Sequence, residues 1–198
     1  MDFAAFVLGH VRPPPARVLE IGCGSGELAR ALAAARYEVT AIDPDAPEGE
    51  QFQRVSFEDF EETGPFDAVV ASRSLHHIQD LGAALDKVAA LLGRGGVLVL
   101  DEFAWERMDE PTAEWYHGRR GAALEGWRSR WDEEHAGLHT GEDMRRELDS
   151  RFRERSFSWR PYFYREADVG ISASEETELI DAGAIRATGF RYAGEPLA

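Results

Sequence analysis

Short apolar runs alternate with helical stripes along the first half of the chain. Phe3, Phe6, Val7 and Leu8 are spaced as a short amphipathic helix, and Pro13-Pro14-Pro15 stiffens the approach to the first strand. Val18-Leu19 and Ile21 read as a buried parallel strand, and Leu28, Ala31, Leu32 and Ala35 fall on one face of the helix after it. Glu38-Val39-Thr40-Ala41-Ile42-Asp43 predicts a second strand, broken by Pro44-Asp45-Ala46-Pro47. A weak third strand lies near Phe52–Phe57, and a clearly apolar fourth covers Phe66–Ala71. Asp80 caps a helix with Leu81, Ala84, Leu85, Val88, Leu91 and Leu92 on one stripe. Gly95-Gly96 then turns the chain into Val97-Leu98-Val99-Leu100, a wholly apolar fifth strand. This rhythm predicts an α/β fold, doubly wound, with a mostly parallel sheet and right-handed crossovers.

The rhythm stops at Asp101. From Phe103 to about Leu138 no strand is predicted, and tryptophans stand at 105, 115, 127 and 131. Thr140 with Asp143 forms a capping-box pattern for a helix through Leu148. Residues 152–164 are rich in Phe, Trp and Tyr and read as a strand, with a break at Pro161. Ser172 or Ser174 caps a short helix, Glu175–Ala182, which Gly183 ends, and Ile185–Tyr192 is the last strand. No repeat, low-complexity tract or second core is visible. The expectation is one domain over 1–198 with a helical insertion at about 103–139.

Chemistry enters at the end of the first strand. Gly22, Gly24 and Gly26 join strand to helix, a turn whose missing side chains let the backbone approach a ligand closely. A dinucleotide loop has the spacing G-x-G-x-x-G, and here Glu27 occupies the place of the final glycine. Glu20 sits inside the strand, where an apolar residue would pack better. The stretch Glu20-Ile21-Gly22-Cys23-Gly24-Ser25-Gly26 is similar to motif I of class I S-adenosylmethionine-dependent methyltransferases. Leu75-His76-His77 after the fourth strand resembles a segment of small-molecule members, and Leu91–Leu100 resembles the approach to their fifth strand. The resemblance implies a Rossmann-like, seven-stranded sheet with an antiparallel C-terminal strand. It implies S-adenosylmethionine as cofactor, held by Glu20, Gly22, Cys23, Gly24, Gly26, Asp43, Pro44, Ser56, Phe57, Ala71 and Ser72. Asp43, ending the second strand, is placed to accept both ribose hydroxyls. Ser56 and Phe57 stand where the family meets adenine, although the more usual acid there is missing.

Composition narrows the partners. With 22 basic and 37 acidic residues the formal charge is −15, a field that repels phosphate backbones and anionic lipid heads. Nucleic acid and membrane are therefore not expected partners, and oligomeric state is left open. Cys23 is the one cysteine, so no intramolecular disulfide forms, and a cytoplasmic protein is expected.

A small, partly apolar acceptor is expected, methylated on O or N by in-line displacement. His76 and Glu102 are the candidate bases for an acceptor that keeps its proton. Arg73, His76, Trp105, Trp115, Tyr116 and His117 are the candidate acceptor-pocket residues, with the aromatic insertion as a lid. No metal is expected, because adjacent histidines diverge and no third ligand has suitable spacing. Two other readings stay open: a binder of S-adenosylmethionine with a non-transferring or regulatory role, and a nicotinamide-dependent oxidoreductase.

Overall fold

A computed structural model describes residues 2–197. A seven-stranded sheet organises it, in the order β3-β2-β1-β4-β5-β7-β6. The strands are β1 (Arg17–Ile21), β2 (Glu38–Ile42), β3 (Phe52–Gln53), β4 (Phe66–Ser72), β5 (Leu92–Phe103), β6 (Phe152–Arg160) and β7 (Gly189–Pro196). β1 to β5 pair in parallel, and β7 runs antiparallel between β5 and β6. The helices are α1 (Phe3–His10), α2 (Glu27–Ala34), α3 (Leu81–Leu91), α4 (Glu110–Arg119), α5 (Trp127–Glu134), α6 (Gly141–Asp149) and α7 (Ala173–Asp181). Among the described residues no helix is long and apolar enough to cross a membrane.

Both faces of the sheet are buried. On one, Leu19, Ile21, Val69, Leu98 and Leu100 pack under α3 and α6 through Leu85, Val88, Met144 and Leu148. On the other, Val18, Ala68, Val70, Val97 and Val99 meet Phe6, Val7 and Leu32 of α1 and α2. Double burial explains why β1, β4 and β5 read as nearly continuous apolar runs. Predicted caps form at their expected residues. Asp80 accepts from Ala83 N at 2.9 Å, and Thr140–Asp143 and Ser172–Glu175 close reciprocal capping boxes.

Five expectations are corrected. The third strand is two residues long, because β3 pairs only at Ala41 and Ile42 before the chain turns away. In α2 the buried face runs through Ala29 and Leu32, with Ala31 exposed beside the glycine loop. The fifth strand starts at Leu92 and absorbs Gly95-Gly96, since Phe66 still pairs with Leu92 across an irregularity before Ala68 meets Val97. The last strand is β7, starting at Gly189 rather than Ile185, a register fixed by pairing on both sides.

The fifth concerns the insertion, which carries a hydrophobic cluster of its own. Phe103, Met108, Ala113, Tyr116, Trp131, Phe163 and Val169 are buried together, with Trp105, Trp115 and Trp127 packed around them. Phe163, in the 3-10 turn Phe163–Arg165 after β6, lies 4.7 Å from Tyr116 and within 6.3 Å of Phe103, Trp115 and Trp131, ring centre to ring centre. Phe163→Ala should cost about 3–5 kcal/mol by opening a cavity in this cluster. Hydrogen exchange should then quicken across 105–135 while the amides of β1, β4 and β5 keep their protection.

Candidate functional site

The C-terminal ends of β1, β2, β4 and β5 meet at one edge of the sheet, where open α/β sheets hold ligands. β1 enters the glycine loop there. Gly22 N and Cys23 N both donate to Ile42 O of β2, at 2.9 and 3.0 Å, which ties the loop to the neighbouring strand. Gly22 has φ +70°, and a Cβ there would run into the Ser74 side chain, so the backbone conformation and the close approach of the segment after β4 both favour glycine. Gly24 has φ +48° and nothing within 4 Å of the place a Cβ would take. Its backbone needs the left-handed region, and a side chain would project into open cleft. Asp43 holds the loop from the far side, its Oδ2 accepting from Gly24 N at 2.9 Å and its Oδ1 from Asp45 N at 2.8 Å. A carboxylate has about four acceptor sites, so Asp43 retains capacity for hydroxyls in the cleft it lines.

Two adjoining cavities share Gly22, Ser72 and Arg73. The first, about 380 Å³, is lined by Glu20, the loop from Gly22 to Ser25, Leu28 and Ala31, with Asp2 and Phe3 closing one side. Glu20 is 4 % exposed. The Ala29 backbone amide engages its carboxylate, while Oε2 has no hydrogen-bond partner among the described residues. Burial pushes its pKa up to about 7, against the Ala29 hydrogen bond and with help from the Asp43 charge. The second cavity, about 420 Å³, is lined by Gly22, Asp43, Ser72, Arg73, Ser74, His76, His77 and Tyr162.

Glu102 organises the second cavity without touching it. It is 0 % exposed, and its Oε1 accepts from Ser74 N at 2.8 Å and Leu75 N at 2.7 Å. Its Oε2 lies 2.6 Å from His76 Nδ1 and accepts from Phe103 N at 3.3 Å. The carboxylate thus caps the 3-10 turn Leu75–His77 and fixes the His76 ring. With Nδ1–H given to Glu102, the His76 lone pair resides on Nε2. His77 lies against His76 at 4.1 Å with the ring planes tilted by 41°, and partial burial, then repulsion from the neighbouring imidazole, hold its pKa below the usual value.

Several predicted residues lie elsewhere. Glu102 lines neither cavity, so it positions His76 rather than meeting an acceptor. Ser56 is engaged in a local turn with Asp59, and Phe57 is buried in the main core, so neither reaches the glycine loop's cavities. Ala71 is buried within β4, and Pro44 is exposed on the turn beyond Asp43. Cys23 does line the first cavity, but it packs against Ala29, Ala41 and Ala46, and burial pushes its thiol up to about 11.

Trp105, Trp115, Tyr116 and His117 also line neither cavity. The tryptophans pack on the insertion's own cluster, and Tyr116 OH donates to Glu166 Oε2 at 2.8 Å. His117 Nε2 is buried without a partner among the described residues, and burial holds its pKa down. Apolar rings gain more from mutual burial than from facing an open cleft.

The aromatic wall is instead Tyr162, stacked on Phe103 at 3.9 Å and 10°. Fully buried Glu176 of α7 holds its turn, accepting from Tyr162 N, Phe163 N and Tyr164 N at 2.8, 3.1 and 2.7 Å. The signal for Tyr162 was the proline that ends β6. For Glu176 it was an acid on the inner face of a short helix.

Residues 2–151 match a family profile described as a methyltransferase domain. A ubiquinone biosynthesis O-methyltransferase of Xanthomonas campestris is 39% identical over 111 residues, 48% of this chain and 46% of that protein. The like-named protein of Xylella fastidiosa is 32% identical over 156 residues, 63% of this chain and 61% of its own length. The chain thus spans about half to three-fifths of these relatives. An S-adenosylmethionine-dependent methyltransferase from Mesorhizobium loti superposes with TM-score 0.63 at 16% identity, over 96% of this chain and 94% of that one. Glycine loop, strand order and sequence match agree: this chain belongs to the methyltransferase domain family, with the class I Rossmann-like fold.

Proposed function

We infer that the protein transfers a methyl group from S-adenosylmethionine to a hydroxyl or amine of a small acceptor. The carrying observation is a pairing on one sheet edge. A buried carboxylate, Glu20, with one oxygen unpartnered among the described residues, stands beside a glycine loop, and a carboxylate-oriented histidine, His76, stands across the shared wall.

The residues fit S-adenosylmethionine. Gly24 leaves the cradle open, Glu20 Oε2 needs a donor such as an ammonium, and Asp43 faces the second cavity with acceptor capacity to spare. Bound there, the cofactor supplies a methyl carbon on a cationic sulfur that departs as a neutral thioether. Glu20 would hold the amino-acid end, Asp43 the ribose, and the wall at Gly22 and Ser72 would set the line between donor and acceptor. Alignment accounts for much of the rate in such displacements. His76 Nε2 takes the proton of an acceptor hydroxyl, and Glu102 stabilises the imidazolium that results. Tyr162, rather than the insertion's tryptophans, walls the acceptor side. The −15 charge favours a cationic cofactor and a small acceptor over nucleic acid.

Calorimetry with S-adenosylhomocysteine tests the cofactor half. Gly24→Val should abolish binding with the circular dichroism spectrum retained, and Asp43→Ala should weaken it by about 1.5–3 kcal/mol. Unchanged affinity in Gly24→Val would remove the reading's main support. Screening acceptor pools for S-adenosylhomocysteine release tests the other half. Binding without release from any pool would favour the non-transferring reading.

With an alcohol acceptor, His76→Asn should lower kcat by about 10²-fold or more at unchanged S-adenosylhomocysteine affinity. Glu102→Gln, which keeps the shape but not the charge, should lower kcat and move the pH profile. An unmoved profile would mean that His76 does not act as the base.

Glu20 gives a pH signature. Its folded-state value of about 7 lies above the usual 4.5, so its contribution to stability is complete below 4.5 and lost as pH rises through 7. In urea unfolding without ligand, Glu20→Gln should exceed the parent by on the order of 2–3 kcal/mol near pH 8, and match it near pH 4.

A further inference from the structure

Arg73 is anomalous in three respects. Its φ is +55°, the left-handed region that a side-chain-bearing residue rarely adopts. Its guanidinium is exposed, and among the described residues no hydrogen bond or ion pair engages it. It also lines both halves of the cleft, where the other charged side chains are Asp2, Glu20, Glu27 and Asp43 together with His76 and His77. Strain of this kind persists only when the surroundings impose it. Here they do. Arg73 N donates to Asp101 O at 2.8 Å, and the next two amides are held by Glu102. Ser74 Oγ lies 3.1 Å from Ile21 O and 3.0 Å from Ser72 O. The network that fixes the His76 ring therefore also fixes the Arg73 backbone, and both residues line the second cavity.

We propose that Arg73 is the anion hook of the acceptor site and that the acceptor is a small hydroxy acid. Its carboxylate pairs with Arg73 while its hydroxyl meets His76. This rests on the methyl-transfer reading above. Glycine would relieve the backbone at position 73, whereas arginine brings a planar two-pronged donor suited to carboxylates. The guanidinium charge is felt on the acceptor side: burial pushes the Tyr162 hydroxyl up to about 12, and Arg73 draws it back. The first cavity, which Arg73 also borders, carries Asp2, Glu20 and Glu27 and so suits the cationic end of the cofactor. Among the described residues, an acid in the second cavity meets Arg73 as its one arginine or lysine.

The test is calorimetry on protein saturated with S-adenosylhomocysteine. The probes are 4-hydroxybenzoate, 3,4-dihydroxybenzoate and 2-hydroxyisocaproate, each beside its primary amide. The parent should bind at least one acid tenfold or more tighter than its amide. Arg73→Gln and Arg73→Gly should erase that preference, Arg73→Lys should keep part of it, and S-adenosylhomocysteine affinity should stay within twofold throughout. Arg73→Gly should also raise Tm, which marks the strain as kept for binding. Acid and amide binding alike in the parent, or no acid binding, overturns the proposal and leaves methyl transfer standing. A large loss of S-adenosylhomocysteine affinity in Arg73→Gln assigns the guanidinium to the cofactor's own carboxylate and also overturns it. A parent that does not bind S-adenosylhomocysteine at all overturns the underlying reading, and this proposal with it.

Discussion

A single carboxylate buried at the end of β5 sets the geometry of the cleft. Glu102 has four donors around it, three of them backbone amides and one an imidazole. Removing a carboxylate from water is costly unless hydrogen bonds replace its hydration. That requirement explains why the chain after β4 stops abruptly and coils into a 3-10 turn at Leu75. The turn's free amides are what Glu102 needs, and Glu102 is what the turn's free amides need. The left-handed backbone at Arg73, the His76 ring and the seat of Ser74 against Gly22 result from this exchange.

The same solution recurs across the cleft. Glu176 reaches from α7 to the amides of Tyr162, Phe163 and Tyr164. Each buried acid serves the start of a short turn; the first turn presents His76 and His77 to the second cavity, and Tyr162 reaches it from the start of the other. Phe103 follows Glu102 directly and carries the Tyr162 ring at 3.9 Å, so the two arrangements touch. The walls facing a prospective acceptor are thus held by buried hydrogen bonds at their bases, with the reactive faces left clear.

The glycine-loop cavity was more legible in the sequence than the cavity beside it. A glycine loop is written in contiguous residues, and the positive φ that favours glycine at 22 and 24 belongs to the local backbone, although Ser74 adds a distant reason at 22. Caps such as Asp80 and Thr140–Asp143 are equally local. Tyr162 and Glu176 are not, because their partners are distant in sequence and one aromatic residue among many gives no sign of which cavity it will face. The tryptophans misled for a related reason: a cluster of large rings fits a lid and a small core equally well, and only packing distinguishes them. Ser56 and Phe57 follow a β3 only two residues long, where local turn contacts and core packing, not strand pairing, set their positions. The start of β7 shifted because a strand paired on both sides takes its register from its neighbours.

The insertion's separate cluster divides the molecule's tolerance to change. Its buried rings meet one another and Phe103, while the main core lies under α3 and α6 and against α1 and α2. Substitutions that repack Trp115, Trp131 or Met108 alter what stands behind Tyr162 without passing through the strands that carry the glycine loop. Variation in the insertion is thereby insulated from the glycine loop. A lineage can reshape the wall behind Tyr162 by drift in one small cluster, with Phe103 as the joint where the cost of that change is first felt.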